Sequence, residues 1–401
     1  MAQMGDSVPT ERFTHFCNAL FEWYNTEAKV VEANPGFMPD RFKLALGCVV
    51  FGQAYLERFL NYCVPSLRAA GNLPAIAGTP IWIIIHTDAA SVSRLKSDVG
   101  LLALADVGVC LEIKIIPQKI LKMVPEEVEN KYWLLGAVNN LQIQQAKFKG
   151  YGFSMLMPDL VYSENYFSTV RKLAMTNDAI VQCAISSRFE DVRKKLKNNG
   201  VLAMDARKLN AIALDNLHRT YLPYVMNGKD YEKECPMHNF MVFMSDNAVH
   251  IMSPHSTPVY ISHSLLLNCE ARLFNTIDSQ LPFFISESAK VYVPQPRDNM
   301  CYIEMSDDNK HYHETGTQDL LNYCIRFWML TYCEDVFLRY VGMNNVFMLP
   351  DYYIMPFKPM KVREIKSVKS NVMAAIVKYK EVIKSCLDEK YRKDPLPRRA
   401  A

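Results

Sequence analysis

Tyr151-Gly152-Phe153-Ser154-Met155-Leu156-Met157-Pro158-Asp159-Leu160-Val161-Tyr162-Ser163-Glu164-Asn165-Tyr166 is the stretch on which the fold turns. Phe153–Met157 is a short apolar run set off by Gly150 and Gly152, and it stops abruptly at Pro158-Asp159. That pattern predicts a buried strand whose carboxyl end carries one carboxylate. In an open α/β sheet the carboxyl ends of the strands face the ligand crevice. Asp159 is therefore a candidate metal or sugar ligand, although a turn aspartate after a proline is the commoner reason for such spacing.

Upstream, the same texture repeats. Arg12–Glu32 reads as a helix with Phe13, Phe16, Leu20 and Trp23 on one face, closing at Asn34-Pro35-Gly36. Lys43–Phe51 and Pro80–Thr87 are apolar enough to be strands buried on both faces. Between them Ala54–Leu67 carries helical spacing at Tyr55, Leu56, Phe59, Leu60 and Cys63. A helix over residues 89–104, a strand at Val109–Ile116 and a helix at Lys131–Lys149 lead into the opening stretch. After it come a helix at Tyr166–Thr176, a strand at Ala179–Ile185 and a helix at Val201–His218. Alternating helices and continuous apolar strands predict an α/β fold, a doubly wound and mostly parallel sheet.

Beyond residue 220 short strands separated by turn signals (Asn239–Met244, Val249–Met252, Pro258–Ser262) predict antiparallel structure added to one edge of that sheet. Val291–Pro294 and Met300–Met305 are further strand candidates, and Asp319–Val341 reads as a helix with an aromatic face. The expected organisation is an N-terminal helical segment (1–40), a sheet domain (41–310) and a helical C-terminal region (311–401). Residues 358–399 hold 13 Lys/Arg against 5 Asp/Glu, with Ile365, Val368, Val372, Ile376, Tyr379, Ile383 and Leu387 at helical spacing. Such a basic amphipathic tail either packs on the domain with solvated lysines or makes peripheral contact with an anionic membrane surface.

Half of the 401 residues are hydrophobic and 11% aromatic, which marks a globular chain. A net charge of only +3 argues against nucleic acid as the main partner. The 11 cysteines include no C-x-x-C pair, and no secretory leader or apolar run of ~18 residues is seen. Reduced thiols in a cytoplasmic protein are the expectation.

No G-x-G-x-x-G follows the first strand, and there is no P-loop, no G-x-S-x-G elbow and no zinc-type spacing. What remains is a set of polar groups at strand ends: Gln53 and Tyr55, Thr87 and Asp88, Asp159, and Ser186–Arg188. Four strands of one sheet ending in this way would converge on one crevice. Singly, each has a turn or cap explanation; Asp88 before Ala-Ala-Ser is as good an N-cap as a ligand.

Two blocks then carry a resemblance. The first is Val49-Val50-Phe51-Gly52-Gln53-Ala54-Tyr55-Leu56-Glu57-Arg58-Phe59 with Pro65-Ser66-Leu67, Gly71-Asn72-Leu73-Pro74 and Ile85-His86-Thr87-Asp88. The second is Met157-Pro158-Asp159-Leu160-Val161-Tyr162-Ser163. Together they resemble the bacterial nucleotide-diphospho-sugar (NDP-sugar) glycosyltransferases of the GT-A-like superfamily, in blocks across residues 42–280. The resemblance implies an NDP-sugar donor lying across the ends of the first strands, with Phe51, Gln53, Tyr55, Arg58, Thr87, Asp88 and Arg188 around it. It implies a divalent cation (Mg²⁺ or Mn²⁺) that offsets the charge gained by the departing diphosphate, held by Asp159 and a histidine. His255 is the candidate, with His250 and His238 as rivals, and Asp278 is the candidate base on the acceptor side. The family's D-x-D appears here as Met157-Pro158-Asp159, with one carboxylate, so cationic side chains such as Arg58 or Arg188 are an alternative means of neutralisation. The acceptor expected is a glycan or a lipid-linked precursor, and the charge excess of residues 358–399, where the tail does not simply pack on the domain, would suit work on a lipid-borne acceptor at the inner membrane face. A degenerate sugar-nucleotide fold acting as a binding or assembly subunit is the non-enzymatic alternative.

Overall fold

The computed structural model describes residues 11–32, 42–126, 128–196, 200–219, 221, 225, 240–244, 246–252, 257–269, 285, 288–307, 345–355, 359–361, 364, 366–367 and 370. Its centre is a seven-stranded sheet in the order β11-β6-β10-β4-β1-β2-β3. The strands are β1 (Leu44–Val50), β2 (Ile81–Thr87), β3 (Val109–Ile115), β4 (Gly152–Leu156), β6 (Ala179–Gln182), β10 (Thr257–Ile261) and β11 (Val291–Tyr292). β1 pairs in parallel with β2 and β4, β2 with β3, and β11 with β6; β10 alone runs antiparallel, to β4 and β6. The expected α/β class, with a large and mostly parallel sheet, is what the chain forms.

Every residue of β1, β2 and β4 is buried, as continuous apolar runs require when helices cover both faces. One face of the sheet packs under α2 (Gln53–Arg58), which passes through a π-helical turn at Phe59–Cys63 into α3 (Val64–Leu67). This core joins Leu44, Leu46, Cys48 and Val50 to Phe59, Val64, Tyr162, Tyr166 and Phe167. α7 (Val128–Phe148) lies on the opposite face, and α1 (Glu11–Glu32) covers it through Phe16, Leu20, Trp23 and Tyr24. The approach of α7 to β1 is close: a Cβ on Gly47 would stand 2.5 Å from Gln142 Oε1 and 2.7 Å from the Phe153 ring. Gln142 uses that closeness to donate from Nε2 to the carbonyls of Cys48 (2.8 Å) and Ile84 (3.1 Å).

Several expectations change. The helix expected over residues 89–104 is two, α4 (Val92–Ser97) and α5 (Val99–Asp106). Asp98 divides them because its extended backbone lets its carboxylate cap the N–H groups of Gly100 and Leu101. The helix expected from Val201 begins at Ala206, where Asp205 caps α10 (Ala206–Asp215). The strand expected at Ala179–Ile185 is divided between β6 and β7 (Ile185–Arg188). β7 leaves for a second sheet with β12 (Tyr302–Ser306) and β5 (Leu160–Tyr162), in the order β5-β12-β7.

The antiparallel strands are also not an edge addition. β10 is inserted between β4 and β6, where both of its edges are paired, while β8 (Phe240–Met244) and β9 (Ala248–Met252) form a separate sheet with β13 (Asn345–Met348). α9 (Phe189–Lys195) and α10 pack with these smaller sheets around Ile185, Leu209, Phe243, Ile303 and Phe347. The helix expected at Asp319–Val341 and nearly all of the basic tail lie outside the described residues. Among those that are described, no helix is long and apolar enough to cross a membrane.

Candidate functional site

The chain proceeds outward from β1 to β2 and β3, then returns to place β4 on the other side of β1. The carboxyl ends of β1 and β4 therefore flank a topological switch point, where open α/β sheets bind their ligands. β1, β2 and β3 end flush, with Val50, Thr87 and Ile115 in register. A cleft of about 780 Å³ opens over these ends, lined among others by Phe51, Gly52, Gln53, Asp88, Arg94 and Gln118.

The cleft is shaped by a tie between two turns. Gly52, at φ 80°, donates its N–H to Asp88 Oδ2 at 3.0 Å. Ser91 donates its N–H to Asp88 Oδ1 and its hydroxyl to Oδ2, each at 2.9 Å. Partial burial raises the Asp88 pKa, but the bonds from Gly52 and Ser91 outweigh it and hold the carboxyl below its ordinary value. With three donors already engaged, Asp88 is committed to the loop geometry. Gln53 is exposed and donates to Glu57 at 2.7 Å, and Phe51 is half-buried in the wall.

Tyr55 and Arg58 project from the other side of α2. The Tyr55 hydroxyl accepts from Lys131 Nζ at 3.0 Å. The Arg58 guanidinium lies 4.4 Å from the ring centroid of Phe189 and 5.4 Å from that of Tyr55, and it pairs through Nη2 with Asp307. Its Nε and Nη1 have no partner among the described residues, although Arg58 is only 3% exposed. Lys131, Phe189 and Asp307 carried no sequence signal, because they reach α2 from distant elements.

Asp159 is brought to the same end. Its carbonyl accepts the N–H of Met305 at 2.9 Å, so the loop after β4 joins β12 just before Asp307. The carboxylate is buried near Cys48 and Cys63. Burial first, and then the Asp159 charge, push the Cys63 thiol well above its ordinary value, so it stays protonated. Among the described residues no three His, Cys, Asp or Glu side chains gather so as to hold a metal ion. One buried carboxylate beside protonated thiols does not fit a protein-held divalent centre.

Four of the seven expected donor residues do not line the cleft: Tyr55 and Arg58 lie across α2, and Thr87 and Arg188 stand apart from it. Thr87 is fully buried, and its hydroxyl finds no partner among the described residues. Arg188 ends β7 in the second sheet, opposite Ser306, and pairs with Asp191 at 3.1 Å. The ends of β1, β2 and β4 lie side by side in one sheet, but Asp159 does not line the cleft and Arg188 belongs to the second sheet, so four strand ends of one sheet do not converge. His255 and Asp278 lie outside the described residues.

No family model matches the chain, and no curated protein matches it. Among solved structures it is similar to mouse xyloside xylosyltransferase 1 in its apo form, at 14% identity and a TM-score of 0.23. The match covers 39% of this chain and 57% of that one. The chain thus spans little more than half of that structure, and a likeness of this size says nothing about its own activity.

Proposed function

We propose that the chain is a glycosyltransferase that moves a sugar from an NDP-sugar donor to a glycan or lipid-linked acceptor. The observation that carries the reading is the cleft over the ends of β1 and β2, beside a switch point where β4 delivers Asp159. The nucleotide is assigned to the cleft, against Phe51 and Gln53, in the loop frame that Asp88 holds. The diphosphate is assigned to the region between α2 and the end of β4, where Arg58 supplies positive charge. A loose transition state for sugar transfer gains negative charge on the leaving diphosphate, and a fixed guanidinium stabilises it without reorganisation. The setting proposed is the cytoplasm, with the basic tail resting on the inner membrane face.

A thermal-shift panel of UDP-, GDP-, CMP- and TDP-sugars, with and without Mn²⁺, tests the proposal. Stabilisation by one nucleotide class, reduced in Gln53→Ala and Asp159→Asn, is expected. Silence across the panel would favour the second reading, a binding or assembly subunit on a sugar-nucleotide fold. Met157 favours that alternative, since it stands where a first carboxylate would complete the pair.

A further inference from the structure

Arg58 is a buried cation that uses little of its hydrogen-bonding capacity among the described residues. Tyr55 and Phe189 flank the guanidinium, Asp307 takes Nη2, and Nε and Nη1 have no partner among the described residues. A planar fork of N–H donors suits a bidentate oxyanion, and buried donors are ordinarily satisfied. The two partners are unequally held: the Arg58 side chain is 4% exposed and the Asp307 side chain 48%. The backbone of Asp307 is fixed, since its carbonyl lies 3.0 Å from His218 Nε2 and the Ser306 hydroxyl is 3.0 Å from that of Ser186. The carboxylate can thus turn into solvent without disturbing β12. Arg188, opposite Ser306, also has an Nε without a partner among the described residues, while Asp191 occupies its Nη2.

We propose that Arg58 is the receiving cation for a phosphate-bearing anion and that Asp307 is its displaceable resting counter-ion. A carboxylate and a phosphate edge make the same demand on a guanidinium, so Asp307 holds the ligand's place and competes with it. The inference deepens the donor reading: it rests on that reading only for identifying the anion as the diphosphate of a nucleotide sugar.

The test is calorimetric titration of inorganic pyrophosphate into the full chain at fixed ionic strength, with wild type, Asp307→Asn and Arg58→Lys. Asp307→Asn removes the competing charge at nearly constant shape and is expected to tighten binding at least about fivefold. Arg58→Lys keeps the charge but loses the fork, and is expected to weaken binding about tenfold. Equal or weaker binding by Asp307→Asn overturns the proposal, as does the absence of pyrophosphate binding in every protein. If Arg58→Lys fails to fold, Asp307→Asn decides alone. Parallel titration with nucleoside diphosphates separates the two ideas. Equal nucleotide binding by all three proteins keeps the donor site and sinks the exchange. Pyrophosphate binding that follows the expected order without nucleotide binding keeps the exchange and sinks the donor.

Discussion

Gly52 donates its backbone N–H to Asp88 Oδ2 at 3.0 Å, fastening the turn after β1 to the turn after β2. The bond explains why a glycine at φ 80° opens α2 and why the cleft has a fixed floor before any ligand arrives. Asp88→Ala should cost about 1 kcal/mol of stability, below the usual range for a charged acceptor because the group is partly exposed. The folded carboxyl has a lowered pKa, so its contribution is complete above the ordinary carboxylate range and is lost as pH falls through the folded value. Urea midpoints at pH 7 and pH 3 should differ less in Asp88→Ala than in wild type; equal differences would remove the tie from the account.

His86 should make stability depend on pH in a higher range. Burial, and after it the charge of Lys114, lower its pKa from 6.5 to about 3, and its Nδ1 lies 3.1 Å from Gln142 Nε2. The unfolded chain therefore takes up a proton below 6.5 that the folded chain refuses until about 3. Stability is full above the unfolded value and declines as pH falls, by about 2 kcal/mol at pH 5. His86→Gln should flatten the slope of unfolding free energy between pH 7 and pH 5. An unchanged slope would show that other groups carry it.

Thr87→Val separates structure from ligand contact. The hydroxyl is buried with no partner among the described residues, so its removal should be neutral or stabilising by up to about 1 kcal/mol. Nucleotide binding, if present, should not change, because Thr87 does not line the cleft. Loss of binding at full stability would return Thr87 to the site.

Gly47→Ala drives a methyl into Gln142 Oε1 and the Phe153 ring, both buried. Overpacking of this kind costs about 1–3 kcal/mol. Adding Phe153→Leu should recover part of the loss, whereas an additive double variant in chemical denaturation would place the strain elsewhere.

The site was legible where chemistry follows chain position. Gly52 and Asp88 stand just past apolar runs, so their location over the sheet could be read from Lys43–Phe51 and Pro80–Thr87. Asp159 was placed by the same rule, from Phe153 to Pro158. The rule failed at Arg188, because Cys183 and Ala184 are apolar enough to continue a strand, yet the chain changes sheets there. It also failed at β10, whose short Pro-containing run resembles an edge strand but is paired on both sides.

The sequence by itself determined the parallel core, since runs such as Ile81–Thr87 are too apolar to tolerate water on either face. It determined, too, which end of the sheet would carry polar groups. Tertiary structure alone decided which of them meet. Arg58 and Asp307 are 249 residues apart, and Tyr55 and Lys131 are 76 apart. No local propensity encodes such pairs; they form because separate apolar cores fix α2, α7 and β12 relative to one another, and charges at their ends are left facing across the gap.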